Sequence, residues 1–515
     1  MSASSQTSRE FTSLAPDVSN VRWFVCFLLF LATTINYMDR SVFSNIEPLL
    51  HNVAFMGWNF AADVHHQPVF DNNFGNVLIW FQVAYGIGFL FVGRIIDKLG
   101  TKTGYALAIG IWALSSMSHS LVTSVAGFCI ARVFLGLGEC GNFPAAMKAT
   151  SEWFPTEERA KAVGIFNSGS NVSFFVALPL ITWVTGHWGW RAAFLPTGIL
   201  GMAWLVLWLI FPYNKLRRGS TTTQRELAPV LTGLEVPREF RLNPSILIPV
   251  VFLLGLLPGI VMVQQQASGA FLHIPYPVVA LILGSLPGFT LLWFNRDKSP
   301  DAVLPKILFH KGCYAFLIGK GLTDPIWWFY LFYLPQFLNR NYGVDIKGAY
   351  KFVLAVYVIS SVGSIFGGTL SGWRMNRGHS VNSGRKFAML CMAVLVLPLV
   401  LVPHMGAIFP HNPWPAALII ALAAAAHQGW SANLFSTPAD MFPSTAVSTV
   451  VGIGGAAGAA GGAAFTWVVK HNLSLHPLLV FSMAAGAYLT SLLIFQLLVP
   501  RLGAPLEPEL PLSVT

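Results

Sequence analysis

The sequence predicts an all-α polytopic membrane protein, and three observations support that fold class. Only 10% of the residues are charged, 54% are hydrophobic and the mean hydropathy is +0.61, whereas a typical soluble domain has about 25% charged residues. Long apolar runs recur along the chain, and several reach the ~20 residues that cross a bilayer core of about 30 Å. These runs do not alternate apolar with polar residues, as the strands of a membrane barrel would.

The N-terminal part predicts a tail followed by six spans. Residues 1–21 are polar and rich in Ser and Thr, which is typical of a cytoplasmic tail. The apolar run from Val21 is too long for the core of a signal peptide and precedes many others, so we predict an uncleaved first span. The spans of this N-terminal bundle, 22–212, are predicted near 22–46, 74–96, 103–121, 123–148, 160–184 and 189–212.

The rest of the chain predicts eight more spans, which makes fourteen in all. A central segment, 213–311, begins with basic residues and contains two apolar stretches near 245–264 and 271–294, which we interpret as an extra transmembrane hairpin. A C-terminal bundle, 312–499, and a cytoplasmic tail, 500–515, follow. We expect a monomer, with the hairpin as the surface through which copies would associate if they do. The C-terminal spans are predicted near 314–338, 348–373, 386–403, 414–438, 445–469 and 476–499.

Lys and Arg cluster in the short loops after the second, fourth, sixth and tenth spans. By the positive-inside rule these loops are cytoplasmic, so both termini are predicted to lie in the cytoplasm of a bacterial inner membrane. The net charge of +10 is therefore an orientation signal, and we expect membrane lipid rather than nucleic acid around the chain. The five cysteines are scattered without a C-x-x-C pair, which predicts free thiols and no metal site.

Charged residues inside spans indicate function, because each costs about 2.5–3.5 kcal/mol on insertion scales. Asp39 and Arg40 are adjacent in the first span, and Arg132 and Glu139 are seven residues apart in the fourth, close to two helical turns and so on one face. Two acids and two arginines in the interior are suited to pairing. They form either a static network that joins helices or the titrating groups of a proton-driven carrier.

The stretch GLGECG, residues 136–141, matches the letters of a dinucleotide fingerprint, G-x-G-x-x-G. That fingerprint requires a preceding strand and a helix that begins at the glycines, whereas this stretch lies within an apolar helical run. We therefore expect the glycines to leave room beside Glu139 for a neighbouring helix, water or substrate. Because motifs for nucleophile, phosphate or metal chemistry are also absent, we predict no enzyme and no cofactor other than a coupling proton.

Other polar side chains within spans have two interpretations each. Hydroxyl, amide and aromatic groups suit a small polyhydroxylated ligand, with an arginine for its carboxylate. Interhelical bonding is favoured for Ser168, Ser431 and Asp440, and core packing for His427. Lys320 and Asp324, four residues apart, either pair along their helix or contribute to the site. Small residues every four positions, typical of close helix packing in lipid, occur at Gly363, Gly367 and Ser371 and again at Gly454, Gly458 and Gly462.

Several long motifs resemble the major facilitator superfamily, and within it the anion:cation symporters. They are NYMDR at 36–40, GRIIDKLGTK at 93–102 and RVFLGLGECGNFPAAMKATSEWFPTEERAKAVGIFNSGSN at 132–171. LTDPIWWFYLFYLPQFL and HQGWSANLFSTPADMFP are most similar to the hexuronate transporters of that family. The resemblance implies a major facilitator fold of two six-helix bundles, alternating access and uptake of a sugar-acid anion with protons. The two extra central helices and the long 49–73 loop depart from the family pattern.

The resemblance also implies site residues. The proton-coupling acids fall on Asp39 and Glu139, and their companion arginines on Arg40 and Arg132. Together with the polar side chains of the spans, it predicts a substrate site formed by Tyr37, Arg40, Tyr85, Arg132, Asn167, Ser170, Asn171, Trp328, Tyr333, Gln428, Trp430 and Asn433.

The sequence thus predicts a proton symporter for a hexuronate, such as glucuronate or galacturonate, or for an aldonate. A fourteen-span drug/proton antiporter is the first alternative, although the fifth span lacks the Gly-Pro-rich motif of such exporters. A membrane sensor that binds sugar acids without transporting them is the second.

Overall fold

The structure, a computed structural model, describes residues 16–50, 53–56, 67–217, 270–271, 274–275, 307–344, 346–472 and 476–502. We call the helices before residue 218 the N-terminal half and those after residue 306 the C-terminal half. The N-terminal half comprises α1 (Pro16–Asn45), α2 (Glu47–Leu50), α3 (Gln67–Leu99), α4 (Thr101–Ser118), α5 (Val125–Glu139), α6 (Asn142–Trp153), α7 (Thr156–Ala192), α8 (Phe194–Ile210) and α9 (Tyr213–Arg217), with short 3₁₀ turns at Ala54–Met56 and His119–Leu121.

The first helix of the C-terminal half begins just before the first predicted span of that half, near 314–338, and the last helix ends before the C-terminal tail. It comprises α10 (Lys311–Tyr342), α11 (Ile346–Asn376), α12 (Val381–Val396), a 3₁₀ turn (Leu397–Leu401), α13 (Val402–Ile408), α14 (Trp414–Met441), α15 (Val447–Asn472) and α16 (Pro477–Leu498).

The predicted spans on either side of the central segment coincide with helices. Within the described ranges, 8 helical segments are long and apolar enough to cross a membrane, and α8 and the start of α15 are shorter apolar helices. The count of fourteen is not confirmed, because the predicted hairpin lies outside the described residues except for two short strands. These are β1 (Ala270–Phe271) and β2 (Ile274–Pro275), which pair antiparallel.

The strands correct the predicted start of a helix at residue 271. Phe271 pairs with Ile274 in antiparallel orientation, where a continuous helix was predicted. Prolines at 275 and 277 explain the difference, because a proline disfavours the helical conformation of the residue before it and donates no backbone hydrogen bond.

Two helix boundaries also differ from the prediction. The fourth span is not one helix, since α5 ends at Glu139 and α6 begins at Asn142. Between them the amide of Gly141 bonds to the carbonyl of Gly138 at 3.2 Å, a tighter turn than an α-helix makes. Conversely the helical conformation of α7 continues through the predicted gap between spans five and six, 185–188, and is interrupted at Gly189, where φ is 77°, a conformation that glycine adopts readily.

Close helix packing holds each half together and joins the two halves. Within the halves, α1 packs on α7, α3 on α5, α11 on α14 and α10 on α15. Between the halves, α7 packs on α11 and α3 on α15. The predicted small-residue stripes lie at such contacts: Gly363 and Gly367 face the backbone of α14, and Gly454 and Gly458 face side chains of α10. Gly462 differs, because nothing lies within 4 Å of where its Cβ would be.

Candidate functional site

A buried ion pair links α1 to the end of α5. Arg40 donates from Nε to Glu139 Oε2 at 2.6 Å, and the side chains are 14% and 0% exposed. A second bond runs from Nη2 of Arg40 to Asn36 Oδ1 at 3.3 Å. The sequence predicted these charges inside the molecule, and the structure brings Arg40, rather than Arg132, to Glu139.

Aromatic rings surround the Arg40 guanidinium. Its carbon lies 4.2 Å from the ring centre of Tyr85, 4.8 Å from that of Tyr37 and 5.7 Å from that of Phe81. Ring faces attract a cation, most strongly where water is excluded. The predicted site residues Tyr37 and Tyr85 therefore hold Arg40 in place beside Glu139.

Arg132 lies in the same interior without an ion pair. It is 2% exposed, and its guanidinium lies over Phe43 at 4.3 Å and shares the Phe81 ring with Arg40 at 5.7 Å. Among the described residues, its Nε and Nη2 nitrogens have no hydrogen-bond partner, and no carboxylate lies within ion-pair distance. The helical spacing correctly placed Arg132 near Glu139, but the expectation that both arginines pair with the two acids is wrong in this structure. Buried N–H groups of an arginine are costly to leave unpaired. A ligand anion that accepted from Arg132 would remove that cost.

Asp39 is held by hydroxyls rather than by a cation. Ser116 of α4 donates to Asp39 Oδ1 at 2.5 Å and lies 3.2 Å from the hydroxyl of Thr197 on α8. Asp39 is 2% exposed, and its Oδ2 has no hydrogen-bond partner in the described part of the chain. The two predicted acids thus lie in different environments, one paired with an arginine and one with a free oxygen.

The glycines beside Glu139 bring helices together. A Cβ added at Gly136 would lie 2.7 Å from the carbonyl oxygen of Phe81 on α3, and one at Gly138 would lie 2.6 Å from the amide nitrogen of Trp112 on α4. Of the three occupants expected from the sequence, the structure places neighbouring helices at these glycines. Glu139 therefore lies where α3 and α4 approach α5 closely.

Polar residues of α7 and α14 meet between the halves. Asn167 donates to Gln428 Oε1 at 2.6 Å, and both are buried. Asn171, one turn along α7, is fully buried, and both of its side-chain polar atoms lack partners among the described residues. Ser170 instead bonds to the carbonyl of Asn167 at 2.7 Å.

Of the remaining predicted residues, some pack in the core and others have side chains outside the described residues. Asn433 donates to the carbonyls of Gly367 and Gly429, which ties α14 to α11, and Trp430 is fully buried edge-on to Tyr488. His427 stacks on Trp327 and bonds to Tyr488 at 2.7 Å, as expected of a core histidine. Trp328 and Tyr333 belong to α10, but their side chains lie outside the described residues.

One carboxylate that the sequence reasoning did not assign connects the halves. Asp97, in the quoted segment GRIIDKLGTK, accepts from Lys148 of α6 at 2.7 Å. It also accepts from the backbone and the hydroxyl of Thr449 on α15, at 2.8 and 2.6 Å. The signal was the aspartate at the end of an apolar span, but its partners lie far away in the sequence.

A second network at the same end of the molecule includes Asp440, which was expected to bond helices together. Asp440 pairs with Arg385 at 2.8 Å and with Arg159 at 3.5 Å. Arg385 also donates to the carbonyl of Thr156 in the N-terminal half at 2.8 Å. The ends of the halves that carry the basic loops are therefore joined by charged hydrogen bonds.

These features define a class of protein: a helical membrane transporter whose two halves meet around buried, unmatched charges. The profile of the Major Facilitator Superfamily matches residues 29–466, and the chain belongs to that superfamily. The predicted family is thereby confirmed, as is the expectation that the chain is not an enzyme.

Several relatives are named as transporters of sugar acids. The chain is 26% identical to the hexuronate transporter of Escherichia coli K12 over 440 residues, which cover 85% of this chain and 84% of the relative. It is 23% identical to a probable galactarate/D-glucarate transporter of Bacillus subtilis, with 81% and 78% covered. The proton:xylose symporter XylE, bound to 6-bromo-6-deoxy-D-glucose, has the same fold, with a TM-score of 0.64, 14% identity and 94% and 97% coverage.

Proposed function

We propose that this protein is a proton-coupled symporter that imports a sugar acid, a hexuronate or an aldonate, by alternating access across a bacterial inner membrane. The observation that carries the proposal is the set of buried charges in α1 and α5. Glu139 is paired with Arg40, whereas Arg132 keeps two unpaired nitrogens. The similarity to sugar-acid transporters supports the substrate class.

Arg132 is the proposed anchor for the substrate carboxylate. A guanidinium presents parallel N–H donors that match the two oxygens of a carboxylate. Because the side chain is 2% exposed, an anion that bonds to it satisfies donors that water does not reach freely. Asn171, with two unpartnered polar atoms, is the proposed partner for a hydroxyl of the same ligand.

Glu139 and Asp39 are the proposed proton acceptors. Protonation of Glu139 would neutralise the acceptor of Arg40 and weaken a pair that is strongly favoured only while both groups are charged. Arg40 would then be free to turn towards an anion. Proton and anion together bring no net charge, so the loaded carrier meets a smaller barrier to reorientation inside the membrane.

The networks around Asp97 and Asp440 are the proposed gate on one side of the site. They join the ends that carry the basic loops, which the positive-inside rule assigns to the cytoplasm. The described conformation would therefore be closed to the cytoplasm. Rocking of the halves would break these bonds and release the substrate inside.

Replacement of Glu139 by Gln tests the coupling. In proteoliposomes, we expect Glu139→Gln to abolish accumulation driven by a pH gradient and to retain exchange of labelled sugar acid. Glu47→Gln, on the short helix α2, serves as the matched control. Continued accumulation against a gradient by Glu139→Gln would remove the coupling role, and accumulation driven by the opposite gradient would indicate an antiporter. A wild-type protein that binds sugar acids without counterflow would be a sensor.

A further inference from the structure

The proposed mechanism leaves unused a second buried charge pair, Lys320 and Asp324 on α10. Lys320 Nζ lies 2.5 Å from Asp324 Oδ2, one helical turn along. The side chains are unequal in access, since the lysine is 5% exposed and the aspartate 22%. The carboxylate of the pair is therefore partly accessible, whereas the ammonium is buried.

An aromatic ring covers the lysine on its other side. Lys320 Nζ lies 3.7 Å from the ring centre of Phe435 on α14. Phe435 in turn stacks on Phe143 of the N-terminal half, with 5.3 Å between the ring centres. The ammonium is thus held between a carboxylate and a ring face, which is a favourable position for a buried cation.

The aspartate is backed by α15, and its partner Lys320 lies against the Phe435 ring that contacts the N-terminal half. A Cβ at Gly458 would lie 2.5 Å from Asp324 Oδ2, so a larger residue there would displace the carboxylate. Phe143, which stacks on Phe435, also packs edge-on to Tyr37 of α1, with 6.4 Å between the ring centres. The glycine therefore gives Asp324 its position next to the interior between the halves.

Continuous contacts connect Asp324 with the proposed anion anchor. Tyr37 packs on the Arg40 guanidinium, and Arg40 and Arg132 share the Phe81 ring. The two ends of this interior have opposite character. One presents a guanidinium with unpaired donors, and the other presents a partly exposed carboxylate.

We infer that Asp324 binds the uncharged, hydroxyl-bearing end of the substrate, and that the site thereby selects sugar acids with one carboxylate over diacids. The inference rests on the proposed function, in which Arg132 holds the substrate carboxylate. A sugar hydroxyl donates a charge-assisted hydrogen bond to the Asp324 oxygen. A second carboxylate at that end would meet a like charge and would offer Asp324 no donor in addition to Lys320.

A preference for one carboxylate distinguishes two kinds of substrate that sequence similarity alone does not distinguish. The relatives include carriers named for a hexuronate, which has one carboxylate, and carriers named for galactarate and D-glucarate, which have two. Lys320 does not reverse the selection, because its ammonium is already shared between Asp324 and Phe435. Removal of the Asp324 charge would leave Lys320 as an uncompensated cation at the same end, where it would attract a second carboxylate.

Competition in counterflow tests the inference. Full-length protein in liposomes exchanges labelled glucuronate while unlabelled glucuronate or glucarate competes, and galacturonate and galactarate form a second matched pair. We expect the wild type to bind the diacid at least 10-fold more weakly than the monoacid. In Asp324→Asn, the ratio of the two inhibition constants should shift by at least 10-fold towards the diacid, because Lys320 is then uncompensated.

Two further variants complete the experiment. Lys320→Gln combined with Asp324→Asn leaves no unpaired buried lysine and should discriminate by less than 3-fold, so it tests the inference if the single variant does not fold. Tyr314→Phe, on an exposed face of α10, should keep the wild-type ratio. Unchanged ratios in both aspartate variants would overturn the inference while glucuronate counterflow still supports the proposed function. A wild type without counterflow of any monoacid would overturn both.

Discussion

The bonds of Asp97 to Thr449 predict how firmly one end of the protein is closed. Asp97→Asn would replace a charged acceptor by a neutral one in two hydrogen bonds between the halves, 2.8 and 2.6 Å long. Charged hydrogen bonds contribute about 1.5–3 kcal/mol and neutral ones about 0.5–1.5 kcal/mol. The difference over both bonds is about 2–3 kcal/mol, or roughly 30- to 140-fold in the equilibrium between closed and open ends.

The assay is a distance measurement by electron paramagnetic resonance between spin labels at the exposed residues Lys98 and His379. We expect a longer distance to gain population in Asp97→Asn. Thr449→Val removes the hydroxyl donor and keeps the backbone donor, so it should produce a smaller shift in the same direction. Distance distributions identical to the wild type in both variants would refute the assignment of Asp97 to the closed end.

Two other predictions concern α5. Gly136→Ala should lower the free energy of unfolding by about 1–3 kcal/mol because its methyl group would meet the Phe81 carbonyl. Gly462→Ala, where nothing lies within 4 Å, should not lower the melting temperature, since alanine is favoured over glycine inside a helix. Equal shifts would show that the close approach at Gly136 costs nothing. Arg132→Lys should raise the substrate concentration for half-maximal counterflow by about 10-fold or more, since a lysine lacks the parallel donors of the guanidinium; an unchanged value would exclude Arg132 as the carboxylate anchor.

The helices were predictable because an apolar run of sufficient length has few alternatives in a bilayer. Their ends were less so. The break in α7 depends on Gly189 adopting a positive φ, and the ending of α5 at Glu139 depends on a local turn within a continuous apolar run. Hydropathy averages over a window and does not detect either event.

Burial of the charges was also predictable, whereas their pairing was not. A seven-residue spacing placed Arg132 and Glu139 on one face, but the partner of Glu139 is Arg40, 99 residues away in the chain. Local periodicity contains no information on which helix lies opposite. The same limit applies to Asp97 and Thr449, which are 352 residues apart.

The interruption between α5 and α6 has a mechanical consequence. α6 is one of the segments that contact the other half: Phe143 stacks on Phe435, and the carbonyl of Pro144 accepts from Ser448 at 2.9 Å. Glu139 is the last residue of α5, so only Cys140 and Gly141 separate the acid from α6, which contacts the C-terminal half. With Glu139 as the proposed proton acceptor, the proton binds next to the break between the two helices. A change of charge on Glu139 would act directly on the break between α5 and α6. No long relay of side chains would be needed to transmit its effect to α6.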